Sequence, residues 1–154
     1  MSRHAEEKII AINRVNHVAI AVKNMEASLR FYRDLLGMKL KSDQVSSIEA
    51  HPNIFRDLSK GRRRHVQLTY GEGAGQGTLV VTEMPGGSKG QPIMLDEIGI
   101  SHISFDTEDV AGLAERAHAA GYKIAEGPFK TPNGGSSCYL VDPDGMLVQF
   151  QQAG

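Results

Sequence analysis

Two stretches of this sequence, HVAIAVKNMEASLRFYRDLLGMKL at residues 17–40 and HISFDTEDVAGLAERAHAAGYKI at residues 102–124, follow the same order of elements. Each begins with a histidine in an alternating, strand-like run, passes a polar turn and enters a segment with helical spacing of apolar residues. Each then reaches a glycine, Gly37 or Gly121, at a position where helices commonly end. The spacing from histidine to glycine is 20 residues in the first stretch and 19 in the second, which indicates an internal repeat.

Strand-forming runs follow each helix, so each copy predicts the order strand, helix and then two or three strands. The first copy extends over residues 13–84 and contains an arginine-bearing insertion at residues 51–64. A stretch rich in glycine and proline, residues 85–98, links it to the second copy, residues 98–152. The Asp-Pro-Asp-Gly sequence at residues 142–145 predicts a hairpin between the last two strands. We therefore expect a single α+β domain over residues 1–154, made of two βαβββ modules.

The composition is that of a folded globular protein, with 40% apolar and 23% charged residues and a formal net charge of −1. The even balance of charge argues against a nucleic-acid-binding protein. Cys138 is the only cysteine, so no internal disulfide can form, which favours a reducing compartment. No apolar run reaches the ~20 residues of a membrane-spanning helix, and the first ten residues lack the apolar segment of a signal peptide. We expect a cytoplasmic protein that binds neither nucleic acid nor membrane.

The two histidines that open the repeats occupy equivalent positions. In the first strand His17 shares one face with Ala19 and Ala21, and the opposite, apolar face is expected to meet the helix. The repeat places His102 on the corresponding face of the second copy. If the two sheets curve around one cleft, both imidazoles point into it, and imidazole is a common metal ligand. A lone histidine on a strand is more often structural, but two at matching positions favour a shared metal site.

The motifs HVAI at residues 17–20, SLRFYRDLLGM at residues 28–38 and YLVDPDG at residues 139–145 resemble those of the vicinal oxygen chelate superfamily. That family includes glyoxalase I, extradiol dioxygenases and bleomycin-resistance proteins. The resemblance covers about residues 13–152. It implies βαβββ modules that curve as paired half-barrel sheets around a cleft, a small-molecule substrate and a homodimer.

The resemblance also implies four metal-ligand positions, on the first and fourth strands of each module. Carried over to this chain, these positions are His17, Val81, His102 and Gln149. Val81 cannot bind a metal ion, and Gln149 stands where the family usually has a glutamate. The implied metal ligands are therefore His17, His102 and Gln149, a set without a carboxylate.

Glu83 and Tyr139 are two further candidates, both for catalysis. Aligning Gly77 with Gly145 places Glu83 two residues beyond Val81 and on the same face. There a carboxylate would serve as the missing ligand or as a base, and a plain charge at the cleft rim is the alternative. Tyr139, on the strand beside the last one, is a candidate donor to a substrate oxygen, with a structural role as the alternative.

These residues support two hypotheses about function. The first is an enzyme in which a divalent metal ion (Fe, Mn, Ni or Zn) acts as a Lewis acid on a small oxygen-bearing substrate, in a lyase, isomerase or dioxygenase reaction. Gln149 weighs against the dioxygenase, because non-haem iron oxygenases usually use two histidines and one carboxylate. The second is a metal-free protein that sequesters a small molecule, as bleomycin-resistance proteins do. The basic run at residues 62–64 is interpreted as a solvated loop or as a local field that attracts an anionic substrate.

Overall fold

The computed structural model describes residues 9–154 and contains two successive βαβββ modules, which confirms the expected α+β class. Residues 1–8 lie outside the described part. They make up most of the first ten residues, in which the sequence predicts no signal peptide. The first module consists of β1 (Val18–Ala21), α1 (Met25–Leu29), β2 (Lys39–Ser47), β3 (Arg62–Tyr70) and β4 (Gly77–Glu83). The second consists of β5 (His102–Asp106), α2 (Val110–Ala119), β6 (Ile124–Lys130), β7 (Ser136–Val141) and β8 (Leu147–Gln152).

Each module forms one four-stranded sheet, and the two sheets have the same strand order. The orders are β1-β4-β3-β2 and β5-β8-β7-β6. The first strand of each module pairs in parallel with the fourth, and the remaining pairs are antiparallel. Because residues paired across neighbouring strands point to the same side of a sheet, the register decides which side chains share a face.

The first helix continues beyond α1 and changes its pitch. Residues Arg30–Leu35 form a wider π-helical segment, in which the Leu36 N–H donates to the Phe31 carbonyl at 3.0 Å. The helical stretch then ends at Gly37, and α2 ends before Gly121, with φ angles of 75° and 87° that favour glycine. These ends agree with the prediction from the repeat. Among the described residues, no helix combines the length and the apolar character needed to cross a bilayer.

One apolar core joins the two modules, and both helices contribute to it. It contains buried residues of both helical stretches and both sheets, among them Leu29, Phe31, Tyr32, Val66, Leu68, Leu79, Val81, Val110, Ala114, Cys138, Leu140, Val148 and Phe150. The ring of Phe31 meets that of Tyr122 edge-on with centroids 5.1 Å apart, and the rings of Tyr70 and Phe105 do so at 5.0 Å. Each helix therefore packs on the inner side of its own sheet, and the aromatic contacts join the two modules. The inner faces of the sheets point towards this shared core, and their other faces point outward.

A buried hydrogen bond reinforces the junction between the modules. The Tyr32 hydroxyl donates to Asp142 Oδ2 at 2.7 Å. The same carboxylate accepts from the backbone N–H groups of Asp144 and Met146 at 2.9 and 2.8 Å, which forms the predicted turn. Burial raises the pKa of Asp142, against the effect of these hydrogen bonds. Burial, and then the nearby Asp142 carboxylate, raises the pKa of the Tyr32 phenol, so this hydroxyl remains a donor at neutral pH.

Candidate functional site

The outward side of the first sheet, here called the first outer face, carries His17. Its other members on the strands include Ala19, Ala21, Lys39, Arg63, His65, Gln67, Thr69, Thr78, Val80 and Thr82. An open groove of about 730 Å³ lies over this face. His17 and Ala19 are exposed, so the edge strand β1 leaves the imidazole accessible from solvent.

The alignment of β4 with its counterpart β8 differs by one residue from the alignment expected from the sequence. Ala19 pairs with Val80 in the first module, and Ser104 pairs with Gln149 in the second. Val80 is therefore the counterpart of Gln149 and lies on the first outer face. Val81 points into the core and is fully buried, so the expectation that it occupies the ligand position is wrong.

The error comes from the two glycines used to align the strands. Gly77 is the first residue of β4, whereas Gly145 lies in the hairpin turn before β8, with a φ angle of 96°. The two glycines are therefore not equivalent. Because side chains alternate along a strand, a shift of one residue moves every side chain to the opposite face.

Glu83 is displaced by the same shift and lies at the start of α1. Its carboxylate accepts a hydrogen bond from the N–H of Met25, the first residue of that helix. In the second module Gln152 has the same role, with its Oε1 accepting from the Val110 N–H at 2.9 Å. Such an acceptor satisfies a helix N–H that has no partner within the helix. The expectation that Glu83 faces the histidine side of the sheet is therefore wrong.

The outward side of the second sheet, here called the second outer face, brings together the other predicted site residues. Its members include His102, Ser104, Asp106, Glu126, Ser137, Tyr139, Leu147, Gln149 and Gln151. The ring of Tyr139 meets that of His102 edge-on at 5.6 Å. Gln149 Nε2 donates to Ser137 Oγ at 3.0 Å, which orients the amide and turns its carbonyl oxygen away from that hydroxyl.

Both histidines are held through the same ring nitrogen. His17 Nδ1 lies 2.8 Å from Asn16 Oδ1, and His102 Nδ1 lies 2.9 Å from Ser101 Oγ. Because the Asn16 amide oxygen can only accept, Nδ1 of His17 donates this hydrogen bond, and in the matching neutral tautomer the lone pair is on Nε2. A neutral imidazole with a second partner on its other nitrogen is the usual form of a metal-bound histidine.

A single chain does not bring His17 and His102 together. The two outer faces lie on opposite sides of the shared core, and the described residues that line the groove beside His17 all belong to the first module and the arm before it. Within residues 9–154 there is no group of three or more His, Cys, Asp and Glu side chains that could hold a metal ion. A site that uses both histidines would therefore need a second copy of the chain.

The charges of the two outer faces are opposite. Among residues 9–154, those that line the first groove include Arg14, Lys39, Lys41 and Arg63 and no aspartate or glutamate. The second outer face carries the carboxylates of Asp106 and Glu126, which pair in register with Gln151 and Tyr139. The sequence pattern does not single out Lys39, Lys41 or Glu126, because the faces of β2 and β6 depend on their irregular registers.

The basic run at residues 62–64 belongs to β3, so its side chains alternate between the two sides of the sheet. Arg63 points to the first outer face, where its guanidinium lies 5.3 Å from the ring centre of Phe55. Arg64 points to the other side and contacts Glu26 at 2.8 Å and Asp43 at 2.7 Å. The hydrogen bonds from Arg64 hold the pKa of Asp43 below its usual range. The interpretation as a solvated loop therefore does not hold for this run.

Comparison with known proteins places this geometry in a family. The chain is 29% identical to an ethylmalonyl-CoA/methylmalonyl-CoA epimerase of Cereibacter sphaeroides, over 92% of this chain and 98% of that protein. It is 27% identical to the lactoylglutathione lyase GLX1 of Arabidopsis thaliana, over 92% of this chain but 44% of that protein. A glyoxalase family protein from Bacillus cereus has the same fold, with a TM-score of 0.73 at 16% identity, over 98% of this chain and 99% of that one. The family model for the Glyoxalase/Bleomycin resistance protein/Dioxygenase superfamily matches residues 14–150, and the chain belongs to that superfamily.

Proposed function

We propose that the protein is a homodimeric, metal-dependent enzyme, in which the first outer face of one copy and the second outer face of the other enclose each active site. One observation carries the proposal. His17 and His102 are equivalent in the repeat and are held through the same ring nitrogen, yet they lie on opposite sides of one chain. A two-fold arrangement of two copies would bring them together twice, in two equivalent clefts.

The charges of the two faces support this pairing. Lysines and arginines surround the first groove, whereas the second outer face carries Asp106 and Glu126. Opposite charges on two faces favour their association and fix its orientation.

Exposed apolar side chains beside the two faces also support a second copy. The arm before β1 and the linker before β5 expose Ile9, Ile10, Ile12, Val15, Met94, Leu95, Ile98 and Ile100, each by more than half of its surface. Large apolar side chains exposed together are typical of surfaces that another protein covers. These two segments flank the strands that carry the histidines, so a partner seated on the outer faces would also contact them.

The residues fit a weakly held divalent cation. The donors would be Nε2 of His17 from one copy, and Nε2 of His102 with the side-chain oxygen of Gln149 from the other. Imidazole donors suit zinc, nickel and iron, but the absence of a carboxylate leaves the charge of the ion uncompensated. When bound, such a cation stabilises negative charge on a substrate oxygen.

The chain's own residues would orient the substrate and move a proton. Tyr139, held against the ring of His102, donates a hydrogen bond from its phenol to a substrate oxygen. Glu126 lies across from Tyr139 in the register and is the carboxylate best placed to accept a proton from a substrate carbon. The names of the two curated relatives, an epimerase and a lyase, support an isomerase or lyase reaction over a dioxygenase reaction.

A subunit-mixing experiment tests the composite site. His17→Ala and His102→Ala should each lose binding of Ni²⁺ or Zn²⁺ measured by calorimetry. After the two variants are mixed and allowed to exchange subunits, about a quarter of the wild-type sites should return, since half of the dimers are mixed and each has one intact site. Mixed dimers that form but regain no metal binding would contradict the proposal.

A metal-free binding protein is the second candidate, and the neutral donor set favours it. Gln149→Glu separates the two candidates because it adds a carboxylate beside His102 with little change in volume. For an enzyme, metal binding should tighten by about tenfold or more, or ~1.4 kcal/mol. Gln151→Glu, which adds the same charge one pair further along the face, is the matched control. If titration of the metal ion gives equal and negligible heats for the wild type and both variants, the result would favour the metal-free binding protein.

A further inference from the structure

We propose that the groove on the first outer face selects a small substrate that carries two or more anionic groups, as carboxylates or phosphates. This inference rests on the proposed function, because it assigns a substrate class to the same composite cleft. It comes from how the fold sorts the charges of a chain whose formal net charge is only −1.

The backbone directs four cationic side chains to this groove from three separate segments. Arg63 reaches it because β3 alternates, and Lys39 lies opposite Thr69 at the start of β2. Lys41 lies at the irregularity in β2, between the paired residues Leu40 and Ser42, and also lines the groove. Arg14, on the arm before β1, completes the set. Convergence from three segments indicates a concave positive surface rather than a run of charges along one strand.

These cations are not neutralised within the described part of the chain. The salt bridges found over residues 9–154 join Arg33 to Asp34 and Arg64 to Glu26 and Asp43. None of them involves a cation of the groove, and no aspartate or glutamate among residues 9–154 lines it. The two neighbours on β3 differ, because Arg64 contacts two carboxylates, whereas Arg63 lies 5.3 Å from the ring centre of Phe55 and forms no salt bridge with another described residue.

The size of the groove favours a small molecule over a polymer. Its volume of about 730 Å³ lies within the range of roughly 300–1,000 Å³ that is common for small-molecule sites. Positive charges around a concave surface concentrate the field there and draw in anions. The polar side chains of Gln67, Thr69 and Thr78 line the groove and add hydrogen-bond partners for anionic oxygens.

Two carboxylates of the facing copy would offset only part of this charge. Asp106 and Glu126 are the acidic residues on the second outer face, against four lysines and arginines at the first groove. Without a bound metal ion, a composite cleft would therefore keep a positive excess of about two charges, which a substrate with two anionic groups offsets, and a bound divalent cation would increase that excess.

Calorimetry with pyrophosphate, at low salt and without added metal, tests the inference on the full-length chain. Arg63→Gln and Lys39→Gln should each weaken binding by about tenfold, because each removes a charged donor to the anion. Arg62→Gln is the matched control, since Arg62 is exposed, precedes Arg63 and points to the other side of β3. Its affinity should stay within about twofold of wild type.

Three results would overturn the inference. The first is that pyrophosphate does not bind to the wild type. The second is that Arg62→Gln weakens pyrophosphate binding as much as Arg63→Gln does. The third is that a single-stranded oligonucleotide binds more tightly and displaces pyrophosphate. Metal binding in the subunit-mixing experiment distinguishes this failure from failure of the proposed function. If the mixed dimers regain metal binding but the wild type does not bind pyrophosphate, only the proposed substrate class is wrong. If pyrophosphate binds and Arg63→Gln weakens its binding, but the mixed dimers regain no metal binding, only the proposed metal site is wrong.

Discussion

The two modules share one backbone plan but carry opposite chemistry on their outer faces. Both have the same strand order, and in both a side chain at the end of the fourth strand accepts a hydrogen bond from the first N–H of the helix. The first outer face is lined by lysines and arginines, whereas the second carries two carboxylates. The inner positions are constrained by the shared core, and the outward positions are free to differ. In the proposed composite site, each module would therefore supply a different half.

The junctions between the modules differ as well. At α1, Tyr32 donates to the buried Asp142 of the other module. Ala117 occupies the equivalent place in α2, because each residue follows its histidine by 15 positions, and it has no hydroxyl to donate. An open groove of about 930 Å³ lies beside α2, where the contact of Tyr70 with Phe105 joins the modules. One junction is fixed by a hydrogen bond and the other by aromatic packing.

Removing the hydrogen bond from Tyr32 to Asp142 should give the largest change in stability, because it leaves both junctions without a buried hydrogen bond between described side chains of the two modules. Tyr32→Phe leaves the buried Asp142 carboxylate with two donors instead of three, so we expect a loss of about 1.5–3 kcal/mol in the free energy of unfolding. Chemical denaturation at pH 7 measures this change. Tyr122→Phe is the control, since Tyr122 contributes its ring to the contact with Phe31. Equal effects of the two variants would contradict the importance of the hydrogen bond.

The cost of Tyr32→Phe should also depend on pH. Burial raises the pKa of Asp142 in the folded state, so folded protein binds a proton there more readily than unfolded protein does. The contribution of Asp142 to stability therefore falls as pH rises from its unfolded pKa to its folded one. The hydrogen bond from Tyr32 opposes this shift, and its loss would raise the folded pKa further. The difference between wild type and Tyr32→Phe should thus shrink as pH falls and Asp142 becomes protonated.

A smaller loss of stability is expected when Glu83, which accepts the hydrogen bond from the first helix, is replaced by glutamine, the residue that has this role in the second module. Glu83→Gln keeps an oxygen for the Met25 N–H, as Gln152 does for Val110, but removes a negative charge from the helix N-terminus. We expect a loss of about 0.3–1 kcal/mol in stability, measured by denaturation, and unchanged metal binding. A large loss of metal binding without loss of stability would return Glu83 to the active site.

The sequence was sufficient for those features that depend on local patterns. The repeat, the glycines that end both helices and the turn at Asp142 follow from periodicity and from the chemistry of single residues. The side on which Glu83 lies does not, because a one-residue error in register reverses the face of a strand. The separation of His17 from His102 depends on how the modules pack through α1 and α2. No local pattern in the sequence records that packing.

Chemical cross-linking tests the central claim that these two histidines meet only between copies. In a chain carrying both His17→Cys and His102→Cys, a short bismaleimide should join residue 17 of one copy to residue 102 of another. The wild type, whose Cys138 is fully buried, is the control for unwanted reaction. We expect covalent dimers on a denaturing gel, with linked peptides containing residues 17 and 102 identified by mass spectrometry of dimers mixed from isotopically light and heavy chains. Efficient cross-linking within single chains would contradict the account.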